Sequence, residues 1–222
     1  MDGNRRWARK HCLPAPSGHK EGLARIDNVI DFCIEQRIEH LSLYTLSLEN
    51  LAERSSYELS VLFSIIEQES VRFLAESKKK NIRISFVGKR DSFPPSLVPI
   101  IINLEQETAY NTDLHVYLFF CYGSRQEIIS AVKQLASQIK SGTVNQPEIT
   151  IKLFEEQLWT SGIPEPDVIV RTGGAHRLSN FMLYQAAYAE FYFIDCLWPD
   201  ITKEYLHQAL SFFTGCKRNF GT

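Results

Sequence analysis

Residues 167–180 read DVIVRTGGAHRLSN. Val168 to Val170 form a short apolar run of strand type, and the chain then enters a polar loop where a simple turn would have served. Gly173 and Gly174 permit close approach of backbone to a ligand, while Arg171, Arg177 and Ser179 offer charge-assisted and hydroxyl donors suited to a phosphate. The loop reads as an anion cradle or as a surface loop with incidental charges, and taken alone it leaves both open. No GxxxxGK[ST] occurs, and no GxGxxG follows a strand, so neither of the common nucleotide cradles is present.

Outward from that strand the apolar periodicity alternates. Leu23, Ile26, Ile30, Cys33 and Ile34 recur at helical steps, and IEHLSLYTLS (38–47) comes next as a strand. The pattern repeats with a helix over about 57–79, the strand IRISFVG (82–88), a helix over about 96–110, the strand LHVYLFF (114–120) and a helix over about 125–140. Further helices are expected at about 151–159 and 203–213, with FYFI (191–194) as the last strand. Such a rhythm predicts βα crossovers: an α/β chain of one domain, with a central, mostly parallel sheet flanked by helices. In open α/β sheets, ligand groups gather beyond the carboxyl ends of the strands. The loops SLEN (47–50), CYGSR (121–125) and RTGGAHRLSN (171–180) all fall at that edge, which predicts one shared site.

Composition sets the surroundings. The chain has 222 residues, 44% hydrophobic and 23% charged, enough for one sizeable core. Five cysteines without a CxxC pair argue against both a disulfide framework and a zinc site, and predict a reducing, cytoplasmic setting. No apolar stretch reaches the roughly 18 residues of a membrane-spanning helix. A net charge of −2 gives no global basic field for nucleic acid, and basic and aromatic strands do not interleave. The charge is uneven, however. Arg5, Arg6, Arg9, Lys10 and Lys20 surround a single acid, Asp2, and a second cationic cluster holds Arg171, His176 and Arg177. Asp2 is either neutralised by its arginines or, if they hold a diphosphate, placed to hold Mg²⁺, which prefers one or two carboxylates plus phosphate oxygens.

Several stretches together resemble a known family. MDGNRRWA (1–8), GHKEG (18–22), YTLSLEN (44–50), YGSRQEI (122–128), the run RTGGAHRLSNFMLYQAAYAEFYFIDCLWPD (171–200) and RNFG (218–221) are similar, in order and spacing, to motifs of the cis-prenyltransferases of the bacterial undecaprenyl diphosphate synthase type. The resemblance implies that fold and an activity: repeated condensation of isopentenyl diphosphate with an allylic diphosphate such as farnesyl diphosphate, with Mg²⁺ as cofactor, each unit joined through a cis double bond to give a polyprenyl diphosphate such as undecaprenyl diphosphate. It further implies a homodimer, cytoplasmic and peripheral to the membrane surface that receives the product, with no nucleic-acid partner.

Carried over position by position, Asp2 matches the acid that holds Mg²⁺ and helps the allylic diphosphate leave. Gly3, Asn4, Arg5, Arg6, Trp7 and His19 match the surroundings of that diphosphate. Asn50 matches the residue assigned to proton removal or its relay, with Ser47, Leu48 and Glu49 beside it. Arg171, Arg177, Leu178 and Ser179 match the isopentenyl diphosphate site, and His176 and Glu190 match positions linked to the metal.

The sequence also departs from the pattern. Ala15 stands where the family usually has Arg, Leu51 where it has Trp, Glu53 near a usual Arg, Cys121 at a usual Asn and Ala175 at a usual Glu. Two cations are lost near the allylic diphosphate, and Arg54 is close enough in sequence to compensate. The departures motivate a second reading, a weakly active or non-catalytic partner subunit of the same fold, against which Asp2 and Asn50 speak. A trans-type prenyl synthase would need DDxxD motifs, and none is present. In the family, an apolar strand precedes the MDGN motif. The expectation is therefore that Met1 is an internal methionine and that one strand with its lead-in, roughly ten to twenty-five residues, lies upstream.

Overall fold

Among the described residues, strands pair only in parallel. The computed structural model describes residues 1–217, so the RNFG motif lies outside the described residues. Strands β1 (His40–Ser47), β2 (Ile82–Val87) and β3 (Leu114–Tyr122) form one sheet in the order β1-β3-β2, and β4 (Val168–Arg171) pairs with β5 (Glu190–Phe193). Helices α1 (Asn4–Lys10), α2 (Ala15–Glu35), α3 (Leu48–Glu53), α4 (Ser56–Lys79), α5 (Val98–Glu107), α6 (Ser124–Lys140), α7 (Ile151–Glu155) and α8 (Lys203–Gly215) fill the connections. The expected α/β architecture with a parallel sheet is the one found. Its sheet comes in two pieces, and the outer edges of β1 and β4 pair with no strand among the described residues. Consecutive residues 38–45 and 164–172 line one cavity of about 1160 Å³. Because strand side chains alternate between faces, consecutive lining residues mean that both strands meet the cavity edge-on.

The centre of the molecule is β3, whose residues are buried apart from the half-buried His115. On one face Leu114, Val116, Leu118 and Phe120 pack with Ile26, Val29, Ile30 and Cys33 of α2, Leu62 of α4 and Ile101 and Leu104 of α5. Each such side chain contributes about 1.5–3 kcal/mol on burial. On the other face Tyr117 and Phe119 join Val87 and Met182. Cys121 has φ 49°, and beyond it the alternation shifts by one: Cys121 stays with the first core and Tyr122 joins the second. Helix α4 starts where the Ser55 side chain accepts from the Glu58 N–H at 3.2 Å, and ends with Lys78 and Lys79, which suit the negative end of its dipole.

Two short helices, α1 and α3, appear where no helix was expected, and α7 ends at Glu155 rather than near 159. The stop has a cause. The Thr160 N–H and hydroxyl both donate to Oε1 of the fully buried Glu127, at 2.9 and 2.8 Å, while Tyr122 and Gln185 donate to its other oxygen at 2.5 and 3.2 Å. Four donors satisfy this buried carboxylate, and they bind the 155–162 turn and the 182–189 segment to the base of α6.

Helix α1 is only seven residues long and owes its position to α2. A Cβ on the buried Gly18 would collide with the Asn4 carbonyl oxygen, which is backbone and cannot give way cheaply. Gly18→Ala is therefore expected to destabilise the protein by about 1–3 kcal/mol, the usual result of overpacking. Denaturant unfolding checks this, and an unchanged midpoint would contradict the packing described.

Candidate active site

Parallel pairing brings the three polar loops to one end of the sheets, and a single hydrogen-bonded cluster joins them. Glu49, in the first loop, accepts from Asn180 Nδ2 in the third at 2.6 Å and from Gln126 Nε2 after the second at 3.4 Å. Asn180 also donates to Gln126 Oε1 at 2.9 Å, and its own Oδ1 accepts from the Arg125 N–H at 2.8 Å. The shared edge expected from the strand order is thus a contact between side chains. Ser47 caps α3 by accepting from the Asn50 N–H at 3.0 Å, which fixes Glu49 and the exposed Asn50 at the mouth of the cavity, while Leu48, expected beside them, packs on the main core instead.

Asp2 stands between the two cationic clusters. Its backbone is pinned: the carbonyl accepts from the Trp198 N–H at 2.9 Å and the Thr172 hydroxyl at 3.0 Å, and its N–H donates to the same hydroxyl. Its carboxylate meets Arg171 at 3.1 Å and Arg6 at 3.4 Å. Burial pushes the Asp2 carboxyl up, but Arg171 and Arg6 outweigh burial and hold it below the usual carboxylate range. Arg171 also donates to Ser179 Oγ at 2.9 Å and to the Arg177 carbonyl, which folds the 171–180 loop around its guanidinium. The buried Arg171 Nε has no partner among the described residues, so one donor of the fork remains for an anion. Gly173 (φ 87°) takes the left-handed turn that lets its carbonyl accept from Arg6 Nη1 at 2.8 Å.

A second cationic group lies at the same cavity, where Asn4, Arg5, His19 and Arg54 line the wall. Arg5 meets Glu58 at 3.6 Å. Burial, then the fields of Arg54 and Arg5, lower His19 to about 4, so it is neutral at pH 7. Unfolded, His19 binds a proton near pH 6.5 and the folded site resists it. The stability this preference supplies is whole above pH 6.5 and is lost as pH falls towards 4. Melting temperature is expected to drop over that window, with a shallower slope in His19→Gln. Equal slopes would remove His19 from the account.

Most of the expected residues are brought together. Asp2, Gly3, Asn4, Arg5, Arg6, His19, Ser47, Glu49, Asn50, Arg171, Arg177, Leu178 and Ser179 line one cavity. Trp7 faces away from it, donating its Nε1 to Asp200 at 2.6 Å. The expected metal trio does not converge within one chain. Among the described residues no three His, Cys, Asp or Glu side chains group to hold a metal. His176 is exposed and stacks on Phe193 with ring centres 4.8 Å apart. Glu190 pairs with Val168 at the start of β5, three residues before the Phe193 that faces Arg171, which in a parallel pair is about 10 Å from the site's end of the sheet.

The structure adds Gln126, Thr172 and Asn180, none of which the motifs singled out for a role in the site, and it places Arg54, expected to compensate for the lost cations, on the cavity wall. Of the departures, Glu53 points to solvent, whereas Arg54 stands with Arg5 and His19. Cys121 is buried, with its thiol directed at the Ser92 carbonyl at 3.4 Å. Leu51 packs on the main core.

Comparison with known proteins gives concordant matches. The family described as "Putative undecaprenyl diphosphate synthase" matches residues 1–221. An isoprenyl transferase of Geobacillus kaustophilus is 39% identical over 221 residues, covering 100% of this chain and 86% of the relative. From Micrococcus luteus, the ditrans,polycis-undecaprenyl-diphosphate synthase ((2E,6E)-farnesyl-diphosphate specific) is 36% identical, covering 100% and 88%. Among solved structures, lavandulyl diphosphate synthase from Lavandula x intermedia, in complex with dimethylallyl diphosphate, superposes with a TM-score of 0.96 at 30% identity, covering 100% of this chain and 95% of that one.

Proposed function

Because the chain belongs to the undecaprenyl diphosphate synthase family of prenyltransferases, we propose that it condenses isopentenyl diphosphate with an allylic diphosphate, joining each five-carbon unit through a cis double bond. The observation that carries this reading is the pairing of two cationic groups across Asp2 in one cavity: Arg6 and Arg171 on its carboxylate, and Arg5 and Arg54, with the neutral imidazole of His19 beside them, on the adjoining wall. Two diphosphates in one site need that many donors. The likeness to a solved relative holding dimethylallyl diphosphate supports an allylic diphosphate as one of them. The farnesyl substrate printed for the Micrococcus luteus relative supports the same class.

In the condensation, the allylic carbon–oxygen bond breaks, a carbon–carbon bond forms to isopentenyl diphosphate, and one proton leaves the new chain. Arg5, Arg6, Arg54 and His19 bind the leaving diphosphate and stabilise charge growing on its oxygens. Arg171, Arg177 and Ser179 orient isopentenyl diphosphate, with the spare Arg171 Nε as a donor. Asn50 serves the removal or relay of the proton, beside Glu49, whose buried Oε2 has no partner among the described residues. The site fits Mg²⁺ in the form that cation favours, one carboxylate plus substrate phosphate oxygens, and Asp2 would hold it. Bound there, Mg²⁺ would supply Lewis-acid stabilisation of the leaving diphosphate.

The partner-subunit reading is not favoured, since Asp2, Asn50, Arg5, Arg6 and Arg171 line one cavity of a single chain. We further propose a homodimer: Ile129 and Val132 on α6, with Leu183, Tyr188 and Phe191, leave large apolar side chains exposed. Sedimentation at micromolar concentration is expected to give twice the 25.5 kDa chain mass, and a sole monomer would contradict it. Five free cysteines fit a reducing cytoplasm, and among the described residues no helix is long and apolar enough to cross a membrane. We propose cytoplasmic work with product release at the membrane surface. The test of the activity is incorporation of labelled isopentenyl diphosphate into solvent-extractable product, primed by dimethylallyl or farnesyl diphosphate with Mg²⁺. Failure with every primer would overturn it.

A further inference from the structure

Three of the seven non-glycine residues with left-handed backbone among the described residues fall within four positions: Ser179 (φ 51°), Asn180 (φ 65°) and Met182 (φ 45°). L-residues avoid that region, and of the three only asparagine tolerates it readily. Such a conformation persists where the surroundings over-determine it. Met182 is held by the second core, and Phe181 stacks on Tyr44 with ring centres 4.7 Å apart. Asn180 is held by hydrogen bonds, and they fall into two sets.

The first set caps α6. Gly123, which precedes the helix, has no side chain to take its free N–H groups. Asn180 takes two of them: its carbonyl accepts from the Ser124 N–H at 2.9 Å and its Oδ1 from the Arg125 N–H at 2.8 Å. A Cβ at position 123 would lie 2.7 Å from Asn180 Nδ2, so the glycine leaves the room that the asparagine fills. Capping needs no more than this. The second set serves something else: Nδ2 donates to Glu49 Oε1 at 2.6 Å and to Gln126 Oε1 at 2.9 Å. Burial would push the Glu49 carboxyl up, but its own backbone N–H, Asn180, Gln126 and Ser47 outweigh burial and keep it below the usual range, as an ionised acceptor.

Glu49 immediately precedes Asn50, and Asn180 immediately follows Ser179. We propose that Asn180 is a positioning residue: its Nδ2 bond to Glu49 sets the distance between Arg177 and Ser179, which orient isopentenyl diphosphate, and the Asn50 amide that serves the departing proton. The proposal rests on the condensation proposed above. Asn50, Arg177 and Ser179 are exposed, so core packing does not fix them, and the two loops are held in register through their half-buried neighbours. Proton transfer requires hydrogen-bond reach, and a displacement of about 1 Å can cost about a hundredfold in rate.

Asn180→Asp separates the two sets of bonds. It keeps the shape, the tolerance for left-handed backbone and the oxygen that caps α6, but it turns an anion towards Glu49. With dimethylallyl diphosphate, labelled isopentenyl diphosphate and Mg²⁺, the full chain carrying this change is expected to keep its melting temperature within a few degrees. Its kcat/KM for isopentenyl diphosphate is expected to fall about tenfold or more, the effect of one charge-assisted hydrogen bond, with KM for the allylic substrate unchanged. Adding Glu49→Gln supplies a donor to the new carboxylate and is expected to raise kcat/KM about fivefold or more over Asn180→Asp alone, as coupled neighbours do. Asn180→Gly, which accepts the same backbone without a side chain, is the second variant should the first fold poorly, and is expected to show the same selective loss with no rescue by Glu49→Gln. Unchanged kinetics in both Asn180 variants, equal rises in the two KM values, or a double variant no better than Asn180→Asp would overturn the inference and leave the condensation standing. A folded wild type that turns over no primer would overturn the proposed function and this inference together.

Discussion

Replacing Asp2 with alanine is expected to lower turnover about a thousandfold or more, the loss seen when a group aimed at developing charge is removed, and to leave the melting temperature nearly unchanged. The two halves of that result have separate causes. The backbone of Asp2 is anchored by Trp198 and Thr172, and those bonds survive the substitution. What disappears is a half-exposed carboxylate between Arg6 and Arg171, which fills no core volume. Without it the arginines remain, but the carboxylate proposed to hold Mg²⁺ is gone. Asp2→Asn should fall almost as far, because it keeps the shape and removes the charge. A folded Asp2→Ala protein with near-normal turnover, measured at saturating substrate and Mg²⁺, would take Asp2 out of the chemistry.

Arg171→Lys is expected to reduce kcat/KM for isopentenyl diphosphate by tenfold to over a hundredfold, since each charge-assisted hydrogen bond lost is worth about 1.5–3 kcal/mol. The positive charge is retained, so the loss reports geometry. One planar guanidinium reaches Asp2, Ser179 and the Arg177 carbonyl and still has Nε to spare. An ammonium cannot serve those directions together. The loss should appear mainly in KM for isopentenyl diphosphate, with the allylic substrate's KM little changed. An equal rise in both, or none, would mean that Arg171 does not distinguish the two diphosphates.

Both predictions rest on residues that motif reading finds, and the reason is local. The strands β1, β2, β3 and β4 carry dense apolar runs, and their alternation with helices fixes parallel pairing, which in turn fixes the edge where the loops meet. What local reading misses depends on distant contacts. Helix α1, NRRWARK, has little apolar periodicity and is stable because Trp7 reaches Asp200 and Ala8 is buried beneath α2. Asn180 looks like any turn residue until Glu49, 131 positions away, accepts its hydrogen bond. Glu190 shares a motif with Arg171, but the parallel register of β4 and β5 carries it to the opposite end of the strand. Periodicity assigns each residue a face, whereas register and long-range pairing decide which end of the sheet it serves.

Cis condensation leaves its mark in the geometry of the newly formed double bond. Product made from unlabelled dimethylallyl diphosphate and carbon-13-labelled isopentenyl diphosphate is dephosphorylated and examined by NMR. A Z double bond is expected in every added unit. An E double bond, or no labelled product at all, would contradict it.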